Sequence, residues 1–247
     1  MDLFLKTYAN ECKKHFAHLG FRRSGNTHWR VINDVYQAFF LQRRAKDGSC
    51  QLLFGTIPLC IGIESHYVRD GSLLTFQPTH FPDCNLLSWT YLTNSEDSIA
   101  SCVRRIMMFI QKYLLPYFER GIDCLSAYNE NRKFYIYMQQ RLDETDIDDR
   151  IFMGDYPEFC MILKSREYAF AEEYMAMAIA SKKRHLSYII QEASPSEAYI
   201  ADKNMKIAQD VATLERISVH DEAFIQDWIE TNELKSLKAL GLWTAKT

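Results

Sequence analysis

The amino-acid sequence predicts an α+β fold, with an antiparallel β-meander flanked by helices, followed by an all-helical C-terminal region. Three observations support this prediction. Apolar residues recur every three or four positions over the first 19 residues, which is the period of a helix. Between residues 27 and 59, side chains alternate with a period of two and turn-forming residues separate the runs. From residue 94 onward the helical period returns.

The first helix is predicted over residues 2–19. Asp2 can cap it, because its carboxylate can accept from the free N–H groups of the first turn. The apolar side chains form one stripe: Phe4, Tyr8, Cys12, Phe16 and Leu19. Gly20 follows as the left-handed residue that ends the helix, and Phe21 folds back onto the last turn.

Three strands are predicted next, opened by a short strand near residues 21–23. The first strand covers 27–32, and Asn33-Asp34 turns the chain into the second strand, Val35–Arg44. Residues 45–49 form another turn, and the third strand covers 50–57.

Both faces of the predicted meander are apolar. On the second strand, Phe39 and Leu41 point to one side, whereas Tyr36 and Phe40 point to the other. An antiparallel sheet that is apolar on both sides must be covered on both sides. We therefore expect the second face to be covered by the chain's own C-terminal helices or by a partner.

The rest of the chain is predicted to be helical. Asn94 or Ser95 caps a helix that Pro116 ends, because the residue before a proline avoids the helical conformation. The run Ser194-Pro195-Ser196-Glu197 has the pattern of a capping box, and Ser218 can cap the last helix. The helices expected between these signals cover residues 122–129, 131–142, 157–191 and about 195–217.

Composition and charge indicate an ordinary globular chain in two parts. Of the 247 residues, 47% are apolar and 25% are charged. We predict an α+β domain at residues 1–120 and a helical region at residues 121–247 packed on it. The first part carries 14 Lys and Arg against 10 Asp and Glu, and the second carries 15 against 22. The net charge of −3 does not favour a polyanionic partner.

The cysteines and the N-terminus bear on the compartment. Seven cysteines are spread through the chain without a CxxC pair, which indicates reduced, buried thiols. No basic segment precedes a long apolar stretch at the N-terminus, and no apolar run reaches about 18 residues. We therefore expect a cytoplasmic protein with no signal peptide and no contact with the membrane.

Part of the chain resembles a known family. The run Leu19-Gly20-Phe21-Arg22-Arg23-Ser24-Gly25-Asn26-Thr27-His28-Trp29, the strand Val35–Arg44 and residues 52–59 resemble the family called domain of unknown function 4304. The run Leu114-Leu115-Pro116-Tyr117-Phe118 looks like that family's helix-ending segment. The resemblance covers residues 5–130, except that 64–92 depart from the pattern. It implies an α+β fold with flanking helices and implies no catalytic residue.

No motif indicates a catalytic or metal site. The patterns of a phosphate-binding loop, a Gly-x-Ser-x-Gly nucleophile and a His-Glu-x-x-His zinc site are all missing. Cys12 and His15 lie three positions apart on a helix, a spacing that chance produces easily. The irregular segment 64–92 holds a group whose spacing fits no metal motif: His66, His80, Asp83 and Cys84. We expect no metal and no cofactor, leave catalytic residues unassigned and lean against an enzyme.

Residues 22–46 are basic and rich in aromatic rings. They hold six Lys and Arg against one acid, Asp34. Basic, aromatic sheet faces bind single-stranded nucleic acid, but Arg side chains at strand ends beside buried rings give the same pattern. The second interpretation is favoured, because the net charge is negative. The candidate residues for contact with a partner are Trp29, Arg30, Arg43 and Arg44.

The function favoured by these observations is a non-enzymatic intracellular protein-binding module. Bacterial toxin neutralisation or regulation is one version of this function, and it rests on analogy. Two alternatives stay open: a hydrolytic enzyme whose active site follows no motif, and an RNA-binding protein that uses the basic aromatic sheet of residues 22–46. The sequence specifies neither the partner nor the oligomeric state.

Overall fold

The computed structural model describes residues 2–44, 48–64, 76–81, 83–84, 88–139 and 157–243. It confirms the α+β class, because one antiparallel sheet in the N-terminal half is followed by helices. The strands follow one another in sequence order across the sheet: β1 (Arg22–Ser24), β2 (Thr27–Ile32), β3 (Val35–Arg44), β4 (Ser49–Pro58) and β5 (Trp89–Thr90). Asn33 has a φ of 51° in the predicted turn between β2 and β3.

Helices surround this sheet. Those of the described residues are α1 (Leu3–Phe16), α2 (Glu96–Phe109), α3 (Leu115–Arg120), α4 (Cys124–Gln139), α5 (Pro157–Lys164), α6 (Tyr168–Ala193), α7 (Glu197–Ser218) and α8 (Glu222–Ala239). The predicted caps of the first two hold, because Asp2 accepts from the Phe4 N–H and Ser95 accepts from the Ser98 N–H. None of these helices is both long enough and apolar enough to cross a bilayer.

The prediction that Pro116 ends the second helix is wrong. The chain stays helical from Glu96 to Arg120, because a π-helical segment, Ile110–Leu114, joins α2 to α3. There the Leu115 N–H donates to the Ile110 carbonyl, five residues earlier. Pro116 then lies in the first turn of α3, directly after the π-helical segment, and the helix continues past it.

Two further helix predictions are wrong. Residues 124–139 form one helix rather than two, since no glycine or proline interrupts them. The helix predicted over 157–191 is two helices, because α5 ends at Lys164 and Arg166 takes a φ of 58° before α6 begins. Only Gly adopts this conformation at no cost, so the sequence carries no signal for the break.

Two helices are also capped by residues other than those predicted. Ser196 rather than Ser194 caps α7, with the Tyr199 N–H donating to its hydroxyl at 3.3 Å. Ser194 instead adopts a left-handed conformation at the end of α6. Asp221 rather than Ser218 caps α8, and its Oδ1 accepts from the Phe224 N–H at 3.1 Å.

One face of the sheet bears a core of aromatic rings beneath α1, α2 and α3. The ring of Phe39 on β3 lies 5.6 Å from that of Phe16 and 5.5 Å from that of Phe21. On β4, the ring of Phe54 meets that of Tyr117 edge-on at 5.7 Å. Edge-on pairs of buried rings stabilise a core beyond the area that they bury.

The second face of the sheet is covered by the chain itself. Leu237 and Leu240, at the end of α8, pack with Trp29 and Tyr36 on this face. The hydroxyl of Ser236 donates to the Leu59 carbonyl at 2.6 Å and so holds α8 at the end of β4. The sequence left two possible covers for this face, the chain's own C-terminal helices or a partner. In the structure, the C-terminal helix α8 covers it. The division into domains at residue 120 stays a prediction.

A buried polar network joins the sheet to α3 and α4. Gln37 on β3 donates to the carbonyls of Phe118 and Gly121, at 2.5 and 2.8 Å. Asn131 on α4 donates to the Thr56 carbonyl at 2.9 Å and accepts from the Tyr117 hydroxyl at 2.7 Å. Such groups are tolerated in a core because hydrogen bonds replace the water that they lose.

The helices α6 and α7 form a long antiparallel hairpin. Their 26 and 22 residues correspond to about 39 and 33 Å of helix. Between residues 182 and 206 the only buried residue is Leu186. An ion pair joins Lys182 of α6 to Asp210 of α7, with Nζ and Oδ2 2.9 Å apart. The end of the hairpin therefore rests mainly on contacts between its own two helices.

Candidate functional site

Trp29, a predicted contact residue, lies inside the fold. It is 6% exposed, its ring lies 5.9 Å from that of Tyr36, and the Arg22 guanidinium covers it at 5.7 Å. Tyr36 and Phe39 are buried as well. These rings are enclosed on both faces of the sheet, so none of them offers a base a surface on which to stack.

Two of the three predicted arginines have partners within the described chain. Arg30 donates from Nε to Gln37 Oε1 and from Nη1 to the Leu19 carbonyl, both at 2.8 Å. Arg43 Nη1 pairs with Asp2 Oδ2 at 2.7 Å. Arg44 ends β3, and its side chain lies outside the described residues.

The structure does not gather the predicted contact residues into one site. Trp29 lies on the sheet face opposite to Arg30 and Arg43, because successive residues of a strand alternate. Arg30 lies across from Gln37, six residues from Arg43 along β3, or about 20 Å.

Cys12 and His15 do not form a catalytic pair. Cys12 is buried in the core beside Tyr8, and burial raises the pKa of its thiol to about 12. His15 lies on the outer side of α1, next to Glu11. The buried His28 is neutral at pH 7, because burial, together with the nearby Arg23, lowers its pKa to about 4. The Cys12 thiol and the buried His28 therefore lack the pKa near 7 that an activated thiol or a general base requires.

Within the described parts of the chain, no three His, Cys, Asp or Glu side chains converge as metal ligands. His80 instead turns back on its own loop, and its Nδ1 lies 3.0 Å from the Gln77 nitrogen. His66 lies outside the described residues.

A concave surface lies between α1 and α2. These helices run in the same direction, since Phe4 stacks on Tyr91 just before α2 and His15 meets Gln111 just after it. Between them lies a groove of about 360 Å³, here called the α1–α2 groove. Its residues are, from α1, Thr7, Glu11 and His15, and, from α2 and the π-helical segment, Ala100, Val103, Arg104, Met107, Met108 and Gln111.

A second depression extends the α1–α2 groove. It has about 510 Å³, shares Met108 and Gln111 with the groove, and continues toward Lys112 and Tyr113. Met108 stands at the junction and is 62% exposed, although it follows the buried Met107. Gln111, Lys112 and Tyr113 belong to the π-helical segment, and such segments occur frequently at functional sites.

Charges line the α1–α2 groove unevenly. The carboxylate of Glu11 lies 3.3 Å from His15 Nε2, and His15 Nδ1 lies 3.3 Å from Gln111 Nε2. Arg104 is exposed, and no hydrogen bond or ion pair ties its guanidinium to another part of the described chain. The ammonium of Lys112 lies 4.6 Å from the centre of the Tyr113 ring. A hydrogen bond with Tyr113 raises the pKa of Lys112, and the nearby Asp83 acts in the same direction. The cations of the groove are thus left open to solvent.

Sequence reasoning missed the groove because each of its residues looks ordinary alone. Arg104 and Gln111 are typical of the exposed side of a helix. One signal was available: the run Ile106-Met107-Met108-Phe109-Ile110 holds five consecutive large apolar side chains, and one helical stripe cannot bury all five. A flexible, polarizable methionine on the surface is typical of protein-binding faces.

Comparison of the chain with protein-family models, with curated proteins and with solved structures finds no match. The resemblance to domain of unknown function 4304 therefore stays a prediction.

Proposed function

We propose that this chain is a non-enzymatic protein-binding module that holds a segment of its partner in the α1–α2 groove. The observation that carries the proposal is the exposure of Met108 where two adjoining depressions meet. An exposed large apolar side chain in a concave surface with a polar rim is the usual anatomy of a binding site for protein.

The pKa values and the positions of the buried ionisable groups favour binding over catalysis. Burial keeps the thiols of Cys12 and Cys160 protonated, with pKa values raised to about 12. His28 is buried without a charge, and its Nδ1 has no hydrogen-bond partner in the described chain. An enzyme places such groups against a cleft, but these three lie within the cores.

Photo-crosslinking tests the proposal. A benzophenone amino acid is incorporated in place of Met108, or in place of Met177 on α6 as a control, since Met177 is also exposed, at 41%. In extracts of the source organism, we expect one dominant protein adduct from position 108 and none of that mass from position 177. Equal labelling at both positions, or no adduct from position 108, would contradict the proposal.

A further inference from the structure

The shape of the α1–α2 groove limits the conformation of its occupant. Along α2, its wall is built by Ala100, Arg104, Met108 and Gln111, which span about 16 Å. Both walls are helix side chains, so the groove has no strand edge to pair with an extended backbone. A helical segment satisfies its own backbone hydrogen bonds and is the occupant that such a groove accepts.

The charges of the groove restrict which charged side chains that bound helix can carry. Arg104 has no partner in the described chain, and Lys112 lies eight residues further, about 12 Å along the axis. The one carboxylate of the groove, Glu11, already lies next to His15 and Lys14. Among the described residues, Arg104 is therefore the unpaired cation of the groove, whereas Lys112, in the adjoining depression, is exposed with Tyr113 and Asp83 near it.

We propose that the α1–α2 groove binds an amphipathic helix whose apolar side chain rests on Met108, with acidic side chains about two turns apart facing Arg104 and Lys112. The inference rests on the proposed function and names the class of its partner. Two carboxylates separated by seven or eight residues on one helix match the 12 Å between the two cations.

Three labelled peptides of 16 residues test this inference. All carry leucines at helical spacing; the first has Glu at the flanking positions, the second has Lys there, and the third is the Glu peptide with two interior prolines. By fluorescence anisotropy, we expect the Glu peptide to bind at least about tenfold more tightly than either of the others. In the variant Arg104→Glu/Lys112→Glu the preference between Glu and Lys peptides should reverse.

Matched controls separate the outcomes. Arg184→Glu, on the exposed side of α6, should leave all affinities unchanged. Equal binding of the Glu and Lys peptides, undiminished binding of the proline peptide, or tighter Arg104-dependent binding of oligouridylate than of the Glu peptide would overturn the inference. Failure of every peptide to bind would also overturn it, while an adduct from position 108 would still support the proposed function.

Discussion

The sheet with its covering helices and the α6–α7 hairpin are stabilised in different ways. In the sheet region, Gln37 and Asn131 are fully buried and their amide groups bridge separate elements. In the end of the hairpin, Leu186 is the only buried residue over 25 positions, and the Lys182–Asp210 pair is partly exposed. The first region can lose little without unfolding, whereas the second can open locally.

The largest effect is expected from Gln37. Replacing it by Met leaves the Arg30 Nε and the Phe118 and Gly121 carbonyls without their partner. We expect Gln37→Met to lower the free energy of unfolding by about 4 kcal/mol, measured by urea denaturation. Gln42→Met changes an exposed residue of the same strand, so its effect should stay within about 0.5 kcal/mol. Similar losses from both would show that the network contributes little.

The second-largest effect is a pH dependence of the free energy of unfolding, and it arises from His28 in the sheet region. The pKa of His28 is lowered to about 4 in the folded chain, whereas an unfolded histidine has about 6.5. Below pH 6.5, His28 therefore binds a proton in the unfolded chain but stays neutral in the folded chain. Stability falls as the pH is lowered from about 6.5 to 4, by up to about 3 kcal/mol, and this contribution does not grow further below pH 4.

His28→Phe isolates this contribution, because it keeps a ring that can stack on Phe39 and removes the titration. Unfolding free energies of both proteins between pH 7 and pH 4 should diverge, with the variant losing less stability on acidification. Parallel curves would mean that His28 titrates normally in the folded chain.

The smallest effect is expected in the hairpin. Lys182→Ala removes the ion pair with Asp210, worth about 1 kcal/mol at a partly exposed site. Hydrogen exchange should then quicken about fivefold in the amides of residues 182–206, while the amides of β3 and β4 stay unchanged. Lys183→Ala, at the exposed neighbouring position, is the control. An equal change in the sheet would show that the hairpin and the sheet open together.

The sequence predicts the parts of this fold that follow from local periodicity. Gly20, with a φ of 84°, ends the 3₁₀ turn Ala17–Leu19 that continues α1, and the two faces of β3 divide as the alternation requires. The missed features depend on contacts distant in sequence or on unmarked backbone. Arg166 adopts a left-handed conformation without being Gly or Asn, and Pro116 is accommodated by a π-helical turn.

The candidate site was less predictable than the fold. Arg30 and Arg43 looked free because the sequence does not reveal that Gln37 and Asp2 lie within hydrogen-bonding distance. The α1–α2 groove was invisible because its two walls are about 90 residues apart in the chain, as the contact between His15 and Gln111 illustrates.

The π-helical segment also sets the directions in which the side chains after it point around the helix axis. A π turn holds about one residue more than an α turn, so the later side chains lag by about 100° relative to an uninterrupted helix. With this lag, Tyr117 and Phe118 are fully buried, while Gln111 lines the α1–α2 groove and Lys112 lines the adjoining depression. The insertion or loss of a single residue within Ile110–Leu114 would rotate the core side chains away from their partners. The length of this short segment is therefore a shared constraint on the core and on the binding surface.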